Sequence, residues 1–376
     1  MNHTLRIGFD AKRAFLNAAG LGNYSRNTIN SVSQFHSENK YILFTPQLSP
    51  DHFQSPQNSV EIMPRSFWWR ALKPFWRTYK ISELAKKAEL DIYHGLSHEL
   101  PIGINKTGIK SIVTIHDLIF MRFPELYNSA DRKIYLRKIK HACQASDKIV
   151  AISKQTKDDI IDFFNVKPQK IDVIYQAINP AFFEQATAEE LEQTKEKYEL
   201  PDNFLLTVGT IEARKNLQNI LKAMELLPQL KMPLVVVGRK TRYMEKIQPL
   251  VDKLGSRIIF LHQVNNQDLS RIYQASKLLL YPSVFEGFGL PVVEAQACGC
   301  PVITSNVSSM PEAGGEAAHY VRPQNYNEIK AAIEQILQDK KYRESLIEQG
   351  KANAQRFTPE IYANHLMKLY KKLHHA

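Results

Sequence analysis

Two carboxylates eight positions apart, Glu286 and Glu294, stand around the turn Gly287-Phe288-Gly289-Leu290-Pro291. Carboxylates accept hydrogen bonds from hydroxyls, and glycine at 287 and 289 lets the backbone approach a bound molecule closely. Pro291 suits the first position of a helix, whose free N–H groups attract anions, so Glu286 is expected in a loop and Glu294 in the first helical turn. Upstream, the apolar run Lys277 to Tyr281 reads as a buried strand. A phosphorylated sugar fits this mixture of acceptors and anion-attracting backbone.

A second group of candidates lies earlier in the chain. Arg214-Lys215 directly precedes a helix opened by Asn216 and follows strand residues ending at Gly209. Cations at that positive end are disfavoured by about 0.3–1 kcal/mol each, a penalty that a bound anion reverses; the alternative is a solvated basic turn. His116-Asp117 follows the run Ser111 to Ile115 without a break. A histidine at a strand's carboxyl end contacts a sugar, carries a proton, or serves as a hydrogen-bonded structural residue. His94 and His98 read as lining of the same region, their spacing of four suiting a metal only on a helix, whereas Gly95 and Pro101 indicate a loop. Gly20-x-Gly22-x-x-Ser25 at a helix entrance brings backbone amides to a phosphate or is a surface loop; it lacks the third glycine of the dinucleotide fingerprint. No Asp-x-Asp triplet occurs, and Asp158-Asp159 fits the first turn of a helix starting near Ser153.

These residues need elements to position them, and strand-like runs alternate with helical segments along most of the chain. Strands are expected near 5–9, 41–45, 91–94, 111–115, 149–152 and 171–175, then near 204–209, 233–237, 257–261, 277–281 and 301–304. Helices are expected near 23–35, 78–89, 129–145 and 154–164, then near 216–227, 243–254, 266–275, 291–298 and 326–337. The fold class is therefore α/β with two doubly wound parallel sheets, whose polar loops follow the carboxyl ends of the strands and face one cleft. The domains are expected at 1–180 and 181–357, with 178–200 as the connection and a helix over 358–376 beyond the second sheet.

Composition narrows the class. The 376 residues suffice for two cores, and 44% hydrophobic content is that of an ordinary globular chain. The N-terminus runs directly into Leu5-Arg6-Ile7-Gly8-Phe9, with no signal-peptide or membrane-spanning stretch, so a cytoplasmic protein is expected. Three cysteines, Cys143, Cys298 and Cys300, give neither a disulfide framework nor zinc spacing and read as buried thiols. The net charge of +11 is concentrated in residues 1–180, with 25 Lys/Arg against 16 Asp/Glu, or +9. Residues 65–80 contain every tryptophan, five basic residues and no acid. Such a segment lies at an anionic membrane surface, or packs its rings in the core with the cations solvated. The expected helix 131–141, with Lys133, Arg137 and Lys140 on one face, supports peripheral membrane contact. No nucleic-acid motif accompanies the basic half, and nucleic acid is not expected as a partner.

With these residues in place, the chain resembles the glycosyltransferases of GT-B fold, and most closely the retaining enzymes of family 4. The resemblance rests on Glu286-Gly-Phe-Gly-Leu-Pro-x-x-Glu294, continued by Ala295 and Gly299-x-Pro301-Val302-Ile303, on Val208-Gly209 to Lys215-Asn216, on His116-Asp117 and on Val150 to Lys154. Gly8 to Lys12 with Gly20 to Tyr24 is similar to the subgroup that builds bacterial surface polysaccharides from mannose or glucose donors. The resemblance implies two Rossmann-like domains, the first for the acceptor and the second for the donor, with the terminal helix returning to the first. It implies a GDP- or UDP-linked hexose as donor, a glycan or lipid-linked glycan as acceptor, retention of configuration, and no metal or other cofactor. Glu286 and the amides of Gly287, Phe288, Gly289 and Leu290 would hold the donor sugar, Glu294 the ribose, and Arg214 and Lys215 the diphosphate. Gly20, Gly22 and Gly209 would border the donor, and His116 would approach its sugar from the other domain. Gln176-Ala177-Ile178-Asn179 departs from the common Asn-Gly-Val-Asp of relatives. The rivals are a nucleotide-sugar epimerase of the same architecture and a non-catalytic nucleotide-sugar-binding protein.

Overall fold

The computed structural model describes residues 4–375. The chain forms two compact units, Met1–Ala177 with Pro359–Ala376, and Ile178–Thr358. The N-terminal unit is built on seven parallel strands: β1 (Arg6–Asp10), β2 (Lys40–Phe44), β3 (Ser59–Ile62), β4 (Ile92–Gly95), β5 (Lys110–Ile115), β6 (Lys148–Ala151) and β7 (Ile171–Val173). Their order is β3-β2-β1-β4-β5-β6-β7. The C-terminal unit has six: β8 (Leu205–Val208), β9 (Leu234–Val237), β10 (Ile258–Leu261), β11 (Leu278–Tyr281), β12 (Val302–Ser305) and β13 (His319–Val321), in the order β10-β9-β8-β11-β12-β13. All pairs are parallel, and in each sheet the strand order reverses at one place, between β1 and β4 and between β8 and β11. Helices cover both faces, which is why strands such as Leu-Val-Val-Val of β9 and Leu-Leu-Leu-Tyr of β11 are buried throughout rather than alternating.

The expected strands are present within a residue or two, and two unexpected ones sit at sheet edges. β3 carries Glu61 within a half-exposed Ser-Val-Glu-Ile, and β13 has only His-Tyr-Val, so neither shows an apolar run. The stretch 178–200 is not a plain connection. It contains the helix Ala188–Lys197, opened by a Thr187/Glu190 capping box, and Phe182, buried in the C-terminal unit with its ring 5.9 Å from that of Tyr273. Charge density hid this helix, because eight of its ten residues are polar and only one face packs. A helix over Lys340–Ala354, likewise mostly polar, was also not foreseen.

The terminal helix Pro359–His374 packs on the N-terminal sheet's helices through buried polar contacts. Tyr362 Oη lies 2.8 Å from Thr28 Oγ1, and Tyr370 Oη 2.7 Å from His94 Nδ1. His94 is completely buried, with Nε2 2.8 Å from Thr114 Oγ1, so it ties the core together instead of lining a binding region as expected. Asp158-Asp159 also departs from expectation. Ser153 caps the helix Lys154–Phe164, which puts both acids beyond its first turn, and buried Asp159 is bonded 2.8 Å from Arg122 Nε. All three cysteines are free and buried.

The aromatic and basic stretch 65–80 divides between its two readings. Trp76 is fully buried, and Arg77 turns inward from a π-helical turn, Trp76–Lys80, to an ion pair with Asp10 at 2.5 Å and Glu99 at 3.3 Å. Phe67, Trp68, Leu72, Phe75 and Tyr79 remain exposed. No described helix is long and apolar enough to cross a membrane.

Gly20 and Gly22 lie inside the first turn of the helix Gly20–Phe35 and not in a loop before it. A Cβ on Gly22 would meet the Asn17 carbonyl oxygen at 1.7 Å, and its N–H bonds to Ala19 O at 2.8 Å. The tight approach at Gly22 is thus to its own chain, while Gly20 has nothing within 4 Å of a Cβ position. Gly22→Ala is expected to destabilise the chain by about 1–3 kcal/mol, whereas Gly20→Ala should be neutral or slightly stabilising. Thermal melts of the two variants check the contrast, and equal melting temperatures would contradict it.

Candidate active site

In the C-terminal unit the sheet reverses between β8 and β11, and open α/β sheets bind ligands outside the strands' carboxyl ends at such a point. Arg214 and Lys215 follow β8 in a tight turn, Ala213–Lys215; Glu286 follows β11. The three side chains meet. Arg214 Nη1 lies 2.6 Å from Glu286 Oε2, and Lys215 Nζ 2.7 Å from Glu286 Oε1. Arg214 also donates to Phe285 O at 2.6 Å and pairs with the half-exposed Glu212. Lys215 Nζ bonds Tyr281 Oη and sits 4.8 Å from the centre of that ring.

Local backbone chemistry holds this cluster. Asn216 adopts a left-handed conformation (φ 63°) as cap of the helix Leu217–Glu225, and its Nδ2 donates to Pro282 O at 2.9 Å and Pro323 O at 2.6 Å. Gly209 has φ 137°, and a Cβ there would stand 3.3 Å from Lys215 Cε, so glycine leaves the lysine its path. Gly289 has φ 119° as cap of the helix Leu290–Ala297, and a Cβ there would strike Met310 Cε at 2.5 Å. The loop between is pinned from behind: Ser308 Oγ and Ser309 Oγ each donate to Glu286 O at 2.9 Å, and Ser309 Oγ also reaches Phe288 O at 2.8 Å. Phe288 is buried with its ring 5.4 Å from that of Phe357. These serines were missed in the sequence because a hydroxyl twenty-odd residues away carries no local signal.

Burial opposes ionisation of Glu286, but Lys215 and Arg214 outweigh it and hold the carboxyl well below its usual range. Burial likewise opposes charge on both cations, and Glu286 more than compensates, raising both. Arg214 and Lys215 are thus not a solvated basic turn: both pair with Glu286 of the same unit. Glu294 lies differently. The helix begins at Leu290 with Pro291 second, so Glu294 falls one residue later than expected, just beyond the first turn. Its Oε2 accepts only a 3.1 Å bond from Tyr273 Oη among the hydrogen bonds described, and burial pushes its carboxyl up to about 7.

His116 belongs to the N-terminal unit, just beyond β5. Its Nε2 lies 2.9 Å from Leu96 O, so that nitrogen is the donor, and Tyr24 packs edge-on at 4.4 Å. Burial, together with neighbouring His98, lowers it to about 3, and the ring is neutral at ordinary pH. This favours a hydrogen-bonding role over proton carriage. Among the described residues no group of three or more His, Cys, Asp or Glu is placed to hold a metal ion.

The family profile for glycosyl transferases group 1 matches residues 189–353, and that for glycosyltransferase family 4 matches residues 20–182. The O-antigen chain mannosyltransferase B of Escherichia coli is 34% identical over 290 residues, 75% of this chain and 74% of that one. The chain belongs to the family 4 glycosyltransferases. A serotype-specific mannosyltransferase of Escherichia coli, WbdA, is 30% identical over 275 residues, 70% of this glycosyltransferase but 34% of WbdA's own length. In fold, the glycosyltransferase from Rickettsia africae ESF-5 superposes with a TM-score of 0.74 at 19% identity, covering 99% of both chains. Membership makes the chain an enzyme of sugar transfer, against the epimerase and non-catalytic readings.

The raised carboxyl of Glu294 has a definite pH signature. An unfolded glutamate ionises near ~4.3, the folded one near about 7. The folded state is therefore penalised as pH rises through that interval, and the penalty is full above it. Glu294→Gln, which keeps an acceptor for Tyr273, is expected to match the parent near pH 4 and to melt roughly 2–6 °C higher at pH 8. Melting curves across pH check this, and a difference that does not grow with pH would refute the assignment.

Proposed function

We propose that this glycosyltransferase moves a hexose, mannose in the first instance, from a GDP- or UDP-linked donor to a glycan or lipid-linked glycan acceptor in surface polysaccharide synthesis. Glu286 against Arg214 and Lys215, at the reversal point of the C-terminal sheet, carries this reading. The mannosyl group is suggested by the names of the Escherichia coli relatives. In the proposal the C-terminal unit binds the donor and the N-terminal unit the acceptor.

The donor's diphosphate takes Glu286's place on Arg214 and Lys215, beside the N-terminus of Leu217–Glu225. Glu286 is thereby freed to accept from sugar hydroxyls, together with the amides at the start of Leu290–Ala297. Glu294 accepts from the ribose, which favours its ionised form. The bond between the anomeric carbon and the phosphate oxygen breaks with its electron pair going to that oxygen. An acceptor hydroxyl attacks from the same face, its proton passing to the leaving phosphate, and configuration is retained. Two cations and a helix terminus stabilise the developing charge, so no metal is needed. Neutral His116 contributes a hydrogen bond to the sugar.

Transfer from labelled GDP-mannose or UDP-glucose is expected without divalent metal. Glu286→Ala and Lys215→Ala should lower it by roughly 10²–10³-fold, with melting temperature measured alongside. Folded variants of both with full activity, or an absolute metal requirement, would sink the mechanism.

We further propose that the enzyme works peripherally at an anionic membrane on its cytoplasmic side. Phe67 and Trp68 are 78% and 72% exposed beside Arg65, Arg70 and Lys73. Tyr79, Ile102, Ile134 and Arg137 line one groove that joins this stretch to the helix Ser129–Ala145, on which Lys133 and Lys140 are exposed. Apolar rings among unopposed cations suit an anionic interface. Co-sedimentation with vesicles containing anionic lipid is expected, weakening several-fold in a Trp68→Ala, Phe75→Ala double variant. Equal binding to purely zwitterionic vesicles would reject it.

A further inference from the structure

A groove along one edge of the N-terminal sheet is used neither by the donor machinery nor by the exposed rings of Phe67 and Trp68. It has a volume of about 700 Å³ and runs beside the consecutive residues 61–66, the end of edge strand β3 and its continuation. Its opposite wall is one face of the helix Ile81–Lys87, through Leu84, Lys87 and the following Ala88. Trp69 lines it from the helix Phe67–Ala71, whereas Phe67 and Trp68 do not. An edge strand facing a helix across an open groove is an arrangement in which an extended peptide can add to a sheet as a further strand.

The backbone of β3 is open on that side. In the parallel pair with β2, the Tyr41 N–H donates to Asn58 O and the Thr45 N–H to Ile62 O, each at 3.2 Å. Asn58, Val60 and Ile62 therefore turn their peptide groups toward β2, and those of Ser59, Glu61 and Met63 point away from it. Outside the ladder, no described hydrogen bond reaches the N–H or carbonyl of Glu61 or Met63. Side chains alternate across the strand, so Val60 and Ile62 share a face. Ile62, Trp69, Leu84 and Ala88 are partly buried against the N-terminal core and give the groove an apolar floor.

Charge selects the occupant. Arg65, Arg70, Lys80 and Lys87 line the groove, and Glu61 is the one acid among the described lining residues. Lys80 and Lys87 both pair with Glu83, while Arg65 and Arg70 have no ion-pair partner among the described residues. Two unopposed cations thus stand where the chain leaves β3. A second copy of this chain would bring its own Arg65 and Arg70 to the same edge, and two chains of net charge +11 repel. A lipid surface offers anions but no row of backbone donors and acceptors to match Glu61 and Met63.

We propose that this groove docks an extended, acidic segment of a partner protein, which adds beside β3 as one more strand of the N-terminal sheet. Backbone groups of the segment bond to Glu61 and Met63, its alternate apolar side chains cover Ile62, Trp69 and Leu84, and its carboxylates meet Arg65 and Arg70. Docking here does not depend on the transferase reading.

The test is fluorescence anisotropy of the full-length chain with a labelled synthetic peptide that alternates valine and threonine between a pair of glutamates at each end, and with the same peptide ended by lysines. The glutamate peptide should bind saturably and about tenfold more tightly than the lysine one. Glu61→Pro removes an outward N–H and no ladder bond, so it should fold and weaken the glutamate peptide about tenfold. Glu61→Gln removes the charge but keeps the N–H, and should not weaken it. Arg65→Ala combined with Arg70→Ala should weaken it several-fold, an effect that fades in high salt. Where Glu61→Pro does not fold, hydrogen–deuterium exchange of the parent decides, for residues 59–63 should exchange more slowly with peptide bound. No binding by the parent, equal binding of the two peptides, undiminished binding by folded Glu61→Pro, or bound peptide without slower exchange overturns the docking site. Slower exchange at 59–63 on anionic vesicles but not with peptide assigns this edge to the membrane and overturns it likewise.

Discussion

The C-terminal unit is organised around a buried carboxylate that two cations keep ionised. An isolated charge with the burial of Glu286 would protonate, and buried Arg214 or Lys215 alone would lose its solvation without return. Each therefore depends on the others, and the surrounding backbone is arranged to bring them together. Asn216 turns the chain after β8 and ties it to Pro282 and Pro323, so the turn bearing the cations cannot move independently of the loop bearing Glu286. Ser308 and Ser309 fix that loop from the other side. A buried ion cluster is weak evidence for stability, since apolar replacements of equal volume are often as stable. The function proposed above gives its presence at a sheet's reversal point a role, for the same geometry that suits a carboxylate suits a phosphate.

The two units repeat one topological solution with opposite chemistry. In each, a parallel sheet reverses order once, and the loops on either side of the reversal carry the polar residues. In the C-terminal unit those loops bring two cations to one ionised glutamate and two helix N-termini. In the N-terminal unit they carry Arg13, His98, Glu99 and Asp117, with the rings of Phe120, Tyr127 and Tyr135 beside them.

Much of this was legible in the chain because buried parallel strands leave continuous apolar runs and because glycine marks close approach. The runs at β9 and β11 located the sheet, and Gly209, Gly289, Arg214-Lys215 and Glu286 followed from their positions after strands. What failed had identifiable causes. β3 and β13 are edge strands without an apolar run, and Ala188–Lys197 hides a single packing face in a polar sequence. Gly22 looked like a phosphate-approach glycine, yet its missing Cβ makes room for Asn17 O. His94, His98 and His116 are similar in sequence context, and only tertiary packing makes the first a core tie, the second an unsatisfied cavity residue and the third a neutral ring held by Leu96. Residues 65–80 satisfied two readings at once because a π-helical turn sends Trp76 and Arg77 inward while their neighbours stay outside.

Desolvation sets the protonation of these sites more than charge pairing does. It keeps His116 and His98 neutral and pushes Glu294 up to about 7, while only groups with a partner at contact distance, Glu286 and Glu99, remain ionised against it. Binding therefore acts on charge as well as on position. A ligand that supplies an anion to Arg214 and Lys215 releases the carboxylate they restrain, and one that supplies hydroxyl donors to Glu294 draws a proton off it. In the function proposed above, both changes would make carboxylate oxygens available for hydroxyls only once the phosphates and the ribose are in place. A free sugar would then meet Glu286 still committed to its cations, and a preference for a nucleotide-linked sugar over the sugar alone would follow from the ion cluster itself.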